Sequence, residues 1–155
     1  MFMCSQVSPQ LKILVARLVH EQDLNEESVA RILNEVPIEL ADVTSNVSFS
    51  VAGYKRNFVY DSENLQVLVL CWLPGQASGI HDHGASYCGV RVVSGCASET
   101  VFQGGSEEQM IDYCRVLHCG DVVTSRGSFI HRIANTQPSE LITLHVYTPP
   151  LVKTS

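Results

Sequence analysis

Two histidines one residue apart carry the clearest chemical signal in the chain. His81 and His83 flank Asp82 in a segment that follows a Pro-Gly turn signal. In a strand, residues two apart project from the same face, so both imidazoles can reach one metal ion. Histidine pairs also occur by chance on protein surfaces. The pair alone therefore leaves a metal site and a surface pair as alternatives.

The spacing around this pair resembles the two sequence motifs of the cupin superfamily. The first motif is matched by Gly75, His81, His83, Cys88 and Gly95. The second is matched by Gly120, His131 and Asn135, although Arg126 and Ser128 replace its usual proline and glycine. Cys88 stands where most cupins have a glutamate. The resemblance thus adds His131 to the two histidines as a candidate ligand. Because Cys88 replaces the usual glutamate, the site would lack the carboxylate ligand of most cupins.

A set of three imidazoles would leave coordination positions open on a metal. His81, His83 and His131 would fill half of an octahedral shell, which suits an iron(II) ion that must bind a substrate and O2 together. Three histidines and a water also form a hydrolytic zinc site. A thiolate from Cys88 could be a fourth ligand, which would favour zinc. The prediction is iron(II), with zinc as the alternative.

The elements that would position these residues are helices followed by many short strands. Ser8 and Pro9 predict the start of one helix, and Asn25 and Pro37 bound a second. From about residue 46, β-rich runs are broken by Gly, Asn, Asp and Pro. The predicted strands are Asn57–Tyr60, Leu65–Leu73, Tyr87–Val93, Ser98–Phe102, Met110–Leu117, Asp121–Thr124, Ile130–Ala134 and Leu141–Tyr147. This pattern predicts a mainly β fold, a closed antiparallel β-barrel or jelly roll, with N-terminal α-helices.

The length and composition predict a single domain. The chain has 155 residues, of which 45% are hydrophobic, so it can bury one substantial core. No repeat, low-complexity tract or linker separates the helical segment, 1–40, from the barrel segment, 46–151. We therefore expect one cupin-type domain over residues 1–155.

Charge and cysteine usage exclude several partners. The net charge is −6 and the 10 Lys and Arg residues are scattered, so no basic surface for nucleic acid or an acidic membrane is expected. The longest apolar run, near residues 65–73, is about half as long as a membrane span. The N-terminus lacks a signal-peptide pattern, and the 6 cysteines form no CxxC pair. We expect a cytoplasmic protein with reduced thiols; the sequence leaves its oligomeric state open.

From about Tyr54 to Leu151 the sequence resembles the cysteine dioxygenases, thiol dioxygenases of the cupin superfamily. The matching segments are Tyr54-Lys55-Arg56-Asn57, Cys71-Trp72, Ile80-His81-Asp82-His83, Cys88, His131-Arg132-Ile133-Ala134-Asn135 and Leu144-His145-Val146-Tyr147-Thr148-Pro149-Pro150. The resemblance implies a non-haem iron(II) held by His81, His83 and His131, which converts L-cysteine and O2 to cysteine sulfinic acid. Cysteine bound through its thiolate and amine would fill two open iron positions and leave the last for O2.

The same resemblance implies roles for residues around the metal. Arg56 matches a carboxylate-binding arginine, and its planar fork suits that task. Tyr54 is assigned with it to substrate binding. Tyr147 matches the active-site tyrosine, whose phenol can hydrogen-bond the substrate carboxylate. His145 and Thr143 share the strand face of Tyr147, so they are expected to form a relay that orients the phenol.

The resemblance leaves the state of Cys88 and the choice of thiol open. In many animal family members the matching cysteine is joined to the tyrosine, here Tyr147, by a thioether, whereas many bacterial relatives have glycine and no crosslink. Tyr87 replaces a histidine of the animal relatives. Relatives selective for 3-mercaptopropionate typically carry glutamine in place of Arg56, so arginine favours cysteine, although it would hold any short thiol carboxylate. A non-catalytic small-ligand-binding cupin and a zinc isomerase or hydrolase are further alternatives.

Overall fold

The structure is a computed structural model that describes residues 1–2, 6–104 and 110–151. Its helices are α1 (Pro9–His20), α2 (Glu26–Glu35) and α3 (Leu40–Val43), the last continuing into a 3₁₀ turn (Thr44–Asn46). Its strands are β1 (Lys55–Asp61), β2 (Gln66–Trp72), β3 (Tyr87–Ser94), β4 (Ala97–Phe102), β5 (Ile111–Leu117), β6 (Val122–Arg126), β7 (Ile130–Ala134) and β8 (Leu141–Thr148). Part of the predicted domain, residues 3–5, 105–109 and 152–155, lies outside the described residues. Within the described ranges, no helix is long and apolar enough to cross a membrane.

The first two helices begin at the capping residues that the sequence predicts. The Ser8 hydroxyl accepts a hydrogen bond from the Leu11 N–H at 3.2 Å. The Asn25 side chain accepts one from the Ser28 N–H at 3.0 Å, and the Ser28 hydroxyl accepts one from the Asn25 N–H at 2.9 Å. This reciprocal pair is a capping box. Helix α2 ends before Pro37, as predicted, whereas the short α3 was not predicted.

The strands form two antiparallel sheets that pack face to face as a barrel. The larger sheet has the order β1-β2-β8-β3-β6, and the smaller has the order β5-β4-β7. Isolated bridges join Ala77 to Ala134 and His81 to His131, so the chain between β2 and β3 runs beside β7. The predicted jelly roll with N-terminal α-helices is confirmed, and a strand is present at each of the eight predicted positions.

Two apolar clusters lie on opposite faces of the larger sheet. The cluster inside the barrel includes Leu68, Leu70, Trp72, Val90, Val92, Ile133 and Leu141. The cluster outside the barrel joins the helices to the sheet and includes Leu11, Leu14, Leu18, Val29, Ile32, Leu33, Val67, Val69, Leu144 and Val146. Because side chains alternate along a strand, β2 and β8 are buried on both faces. The helices therefore support the strands whose inner faces line the barrel.

Substituting Gly95 with alanine is expected to destabilise the fold. Gly95 lies between β3 and β4 with a φ of +86°, and an added Cβ would lie 2.6 Å from the backbone oxygen of Glu140. We expect Gly95→Ala to lower the free energy of unfolding by at least about 1 kcal/mol, as measured by urea titration. Gly120 is a matched control, because its φ is +91° but no atom lies within 4 Å of an added Cβ. Equal losses in the two variants would contradict the contribution of the Glu140 contact.

Candidate active site

Three histidine side chains converge inside the barrel. One ring nitrogen each from His81, His83 and His131 lies within 4.8 Å of the others. The Nε2 atoms of His83 and His131 are 3.3 Å apart, and the three ring centroids are separated by 4.7 to 5.0 Å. In the described part of the chain, no other group of His, Cys, Asp and Glu side chains converges in this way. Such a set of nitrogen lone pairs is suited to one cation.

Backbone pairing brings these histidines together from two segments. The His81 N–H donates to the His131 carbonyl, and the His131 N–H donates to the His81 carbonyl, both at 3.0 Å. These two residues thus form a hydrogen-bonded antiparallel pair. His83 follows two residues later, and its side chain is buried. The structure thus brings together the three residues that the sequence analysis predicts as metal ligands.

The outer nitrogen of each ring has a hydrogen-bond partner. His81 Nδ1 donates to a backbone carbonyl at 2.9 Å, and His131 Nδ1 lies 3.0 Å from the Glu99 carboxylate. His83 Nδ1 lies 3.4 Å from the Ser125 hydroxyl. Because carbonyls and carboxylates only accept, the hydrogens of His81 and His131 lie on Nδ1 and leave the Nε2 lone pairs free. This donor set fits a divalent iron or zinc ion.

Burial keeps two of these rings in the neutral form that binds metals. It lowers the pKa of the His81 ring. It also lowers the pKa of His83 to about 3, with a further lowering from the neighbouring His131 and His81 rings. Metal ligands must be deprotonated, so neither ring has to lose a proton near neutral pH before it can coordinate an ion.

A small cavity lies against the three histidines. Its volume is about 100 Å³, well below the roughly 300–1,000 Å³ of pockets for drug-sized ligands. Besides the histidine cluster, its wall includes Tyr54, Arg56, His145 and Tyr147. Asp and Glu are absent from the described wall. The cavity therefore suits a small molecule that carries a negative charge.

Arg56 supplies the positive charge of this wall. Its guanidinium carbon lies 5.8 Å from the centroid of the Phe58 ring. Arg56 is exposed and forms no salt bridge with another described residue. An uncommitted guanidinium can bind a carboxylate through two parallel hydrogen bonds. Tyr54 lies beside it and stacks on Trp72, with ring centroids 4.3 Å apart and an interplanar angle of 17°. The structure thus brings both predicted substrate-binding residues to the histidine cavity.

A buried chain of hydrogen bonds runs through β8 to the Tyr147 hydroxyl. His145 Nδ1 lies 3.0 Å from Tyr147 Oη, and His145 Nε2 lies 2.8 Å from Thr143 Oγ1. This is the relay predicted from the shared strand face. The structure extends it by one member, because Trp72 Nε1 donates to Thr143 Oγ1 at 3.0 Å. Trp72 belongs to β2, so the relay joins two neighbouring strands.

The indole of Trp72, at one end of these hydrogen bonds, determines which atom donates in each of them. An indole N–H only donates, so Thr143 accepts from Trp72 and directs its own hydrogen to His145 Nε2, its remaining partner in the described structure. His145 then carries its hydrogen on Nδ1 and donates to Tyr147 Oη. Burial lowers the pKa of His145 well below its usual value, so the ring holds one hydrogen only. The Tyr147 hydroxyl hydrogen is therefore not used by His145, and it can be donated either to the Cys88 thiol or into the cavity.

We expect a Trp72→Phe substitution to shift the tautomer of His145. The variant removes the indole donor, which allows the Thr143 hydroxyl to rotate, so the Nδ1-protonated fraction of His145 should fall. Nitrogen-15 NMR of the metal-free protein measures this fraction directly. Tyr54→Phe is the matched control, because it preserves the stacked ring and the relay. An unchanged His145 spectrum in Trp72→Phe would contradict the assigned direction.

Cys88 lies directly opposite Tyr147 in the pairing of β3 with β8. Its thiol is within hydrogen-bond reach of the Tyr147 and Ser125 hydroxyls. Burial raises the pKa of both the Cys88 thiol and the Tyr147 phenol, so both groups keep their protons. Cys88 is not among the converging ligand atoms. The geometry therefore gives no support to Cys88 as a fourth metal ligand.

Glu99 is a buried charged residue near the site that the sequence analysis missed. It is 1% exposed, and its two carboxylate oxygens contact His131 Nδ1 at 3.0 Å and Arg115 Nε at 2.5 Å. Burial raises the pKa of the Glu99 carboxyl, but the hydrogen bonds from His131 and Arg115 outweigh that effect and lower it. One available signal was strand phase, because Glu99 lies two residues from both Ala97 and Val101 and so shares their inward face of β4.

An antiparallel β-barrel with three histidines converging at its inner wall defines a cupin. The sequence model that describes cysteine dioxygenase type I matches residues 3–155. The chain belongs to the cysteine dioxygenase type I family, which places it among the thiol dioxygenases, a class of oxidoreductase.

Individual relatives agree with this assignment. Cysteine dioxygenase type 1 of Rattus norvegicus is 29% identical over 93% of this chain and 77% of its own length. The Homo sapiens protein of the same name is 28% identical over the same shares. Among solved structures, a Klebsiella pneumoniae protein with a double-stranded β-helix domain superposes with a TM-score of 0.60 at 23% identity, covering 72% of this chain and 95% of its own. An RmlC-like cupin from Desulfovibrio desulfuricans gives 0.57 at 20% identity, covering 74% and 100%. These two structures support the fold.

Proposed function

We propose that the protein is a non-haem iron(II) dioxygenase that adds both atoms of O2 to the sulfur of L-cysteine, giving cysteine sulfinic acid. The observation that carries the proposal is one small cavity that joins the histidine cluster to the Arg56 guanidinium. A short thiol carboxylate needs both features: a metal with open positions for its sulfur, and a cation for its carboxylate.

The proposed metal ligands are the Nε2 atoms of His81, His83 and His131. When bound, iron(II) would supply positions for the thiol sulfur and O2, together with the redox chemistry that joins them. Zinc fits the same nitrogen atoms but has no redox chemistry. Family membership therefore supports iron, and iron content that rises and falls with activity would exclude a zinc enzyme.

The proposed roles of the other residues follow from the wall of the cavity. Arg56 binds the substrate carboxylate and so orients the sulfur towards the histidine cluster, with Tyr54 beside it. Tyr147 keeps its proton because burial raises the pKa of the phenol, so its hydroxyl acts as a hydrogen-bond donor to substrate oxygen. His145 orients that hydroxyl through the 3.0 Å contact to Tyr147 Oη.

A second candidate substrate is 3-mercaptopropionate or another short thiol acid. The described wall contains no Asp or Glu, so no carboxylate side chain is available to recognise the amino group of cysteine. A thiol that carries a carboxylate but no amine satisfies Arg56 equally well. The choice between these substrates thus depends on the amino group alone.

Oxygen uptake by the iron(II)-loaded protein tests the proposal. The thiol panel is cysteine, 3-mercaptopropionate, cysteamine and homocysteine, with the sulfinic acid products measured by mass spectrometry. We expect the fastest uptake with cysteine and slow uptake with cysteamine, which lacks the carboxylate. Faster uptake with 3-mercaptopropionate would favour the second candidate. Absence of thiol-dependent uptake across the panel would contradict a dioxygenase and favour a ligand-binding cupin.

We also propose that turnover joins Cys88 to Tyr147 by a thioether. The two residues are cross-strand partners. In pairs of this kind the two Cβ atoms lie about 4.5–5.5 Å apart. The reaction removes the thiol hydrogen and one ring hydrogen and forms a carbon–sulfur bond, while O2 accepts the two electrons and two protons. Peptide mass spectrometry after turnover should reveal a linked pair that is two hydrogens lighter.

Two variants distinguish the contribution of the crosslink to activity from the contribution of the Tyr147 hydroxyl. Cys88→Gly cannot form the bond and should retain measurable activity, because it leaves the three histidines and the phenol in place. Tyr147→Phe should lose more activity, because it removes the hydroxyl itself. Peptides of fully turned-over protein with unchanged mass would rule out the crosslink, and Cys88 would then act as a small apolar residue in the barrel.

We further propose that the chain forms a single domain and that it acts on a small thiol and O2 in the cytoplasm. The N-terminal helices share one apolar cluster with the larger sheet, which supports one folding unit. The described cysteines, Cys71, Cys88, Cys96, Cys114 and Cys119, are all free thiols, as a reducing compartment would keep them.

A further inference from the structure

We propose that Glu99 is a positioning residue that gives the metal centre a negative charge from outside its ligand set, acting through His131. The inference rests on the proposed metal centre and adds a residue to it. Three neutral imidazoles leave the charge of a divalent cation uncompensated by protein ligands. Glu99 is the carboxylate that the structure brings to one of those imidazoles.

Strand pairing places Glu99 between a cation and a histidine. In the smaller sheet, Glu99 of β4 lies directly opposite Arg115 of β5 on one side and Ile133 of β7 on the other. His131 is two residues from Ile133, so it projects from the same face of β7. One carboxylate oxygen of Glu99 contacts Arg115 Nε, and the other contacts His131 Nδ1. The carboxylate thus links the exposed strand β5 to the histidine cluster.

The contacts of Glu99 fix the tautomer of His131. A buried carboxylate is costly unless it is paired and hydrogen-bonded, and Glu99 has both kinds of partner. The guanidinium of Arg115 is always charged, so the carboxylate beside it is ionised and can only accept hydrogen bonds. His131 must then carry its hydrogen on Nδ1, with the Nε2 lone pair directed at the cluster. A carboxylate partner also raises the basicity of a ligating imidazole.

The three rings differ in the hydrogen-bond partner of their outer nitrogen. The Nδ1 atom of His81 meets a neutral backbone carbonyl, and that of His83 lies 3.4 Å from the Ser125 hydroxyl. In the described structure, His131 is the cluster member whose outer nitrogen contacts a charged side chain. We therefore infer that His131 is the strongest donor of the three and that Glu99 makes it so.

Glu99→Gln is the variant that isolates the charge. It preserves the shape of the side chain, but its amide group can donate to His131 Nδ1 and favour the tautomer that cannot bind metal through Nε2. We expect the dissociation constants for Zn²⁺ and Fe²⁺ to rise about 10- to 100-fold. The metal-free variant should unfold at a somewhat lower temperature, because Arg115 loses its charged partner. Metal affinity is the readout that separates the two roles, because a purely structural role predicts lower stability with unchanged metal affinity.

The measurements are chelator competition with each metal on the full chain and thermal unfolding of the metal-free protein. Glu35→Gln is the matched control, because it neutralises an exposed carboxylate that pairs with Arg17, and it should leave metal affinity unchanged. Unchanged affinity in Glu99→Gln would overturn the inference.

A second measurement uses the unaltered protein and tests the tautomer on which the inference depends, even if Glu99→Gln fails to fold. Nitrogen-15 NMR of the zinc-loaded protein should find the His131 hydrogen on Nδ1 and the metal on Nε2. Metal on Nδ1 of His131 would overturn the inference. Failure of the proposed function looks different, because unaltered protein would then show no thiol-dependent O2 uptake whatever the state of Glu99.

Discussion

A His131→Ala variant is expected to lose both bound iron and thiol-dependent O2 uptake completely. The substitution removes one of three converging nitrogen ligands, and it removes the ligand that contacts Glu99. Two imidazoles provide too small a ligand set to retain a divalent ion against buffer. Iron content measured colorimetrically and O2 uptake measured with an electrode should fall together, whereas the far-ultraviolet circular dichroism of the barrel should persist.

The matched control is His118→Ala, which removes an exposed histidine outside the cluster. The Nδ1 atom of His118 lies 3.6 Å from the Cys96 thiol, and the residue does not line the cavity. The control should retain iron and activity. Full activity in His131→Ala would contradict the proposed centre, and equal losses in both variants would mean that the wrong histidine was assigned.

Arg56→Ala is expected to impair the use of cysteine far more than the use of cysteamine. A charge-assisted hydrogen bond contributes about 1.5–3 kcal/mol, which corresponds to roughly a 10- to 150-fold loss in kcat/KM for a carboxylate substrate. Cysteamine has no carboxylate and should lose little. Iron retention should stay unchanged, because Arg56 contacts none of the three histidine side chains through a hydrogen bond.

Steady-state O2 uptake with both thiols measures this difference. Lys55→Ala is the control, because it removes an adjacent exposed cation that does not line the cavity. If Arg56→Ala lowers kcat/KM equally for cysteine and cysteamine, Arg56 supports the structure and does not recognise the substrate.

Local patterns in the sequence were enough to predict most of the fold. Ser8 and Asn25 identify the helix starts because their side chains satisfy backbone N–H groups at helix N-termini. The strands are identifiable because Gly, Asn, Asp and Pro separate short β-branched runs. The four-residue helix α3 was missed because a single turn has too few positions for a periodic apolar pattern.

Long-range contacts explain what the sequence could not predict about the site. Motif spacing was enough to predict that His81, His83 and His131 belong to one site. A single glutamate in a strand, such as Glu99, is instead expected to face solvent unless the phase of its strand is known. Its role becomes visible only when β4 is placed between β5 and β7. Trp72 was likewise absent from the predicted relay, because it contacts Thr143 across 71 positions of the chain.

The helical layer on the larger sheet limits how far this enzyme could be miniaturised. The close approach of α2 to β3 at Gly89 is part of that layer, because an added Cβ there would lie 2.5 Å from Val29 Cγ1 and 2.7 Å from Leu33 Cδ1. A designer who kept the barrel alone would expose the outward rows of β2 and β8 to water, including Val67, Val69, Leu144 and Val146. Contiguous apolar rows on exposed strands favour aggregation. Transplanting the three-histidine site into a smaller scaffold would therefore require polar residues along those outward rows before the inner faces could be used.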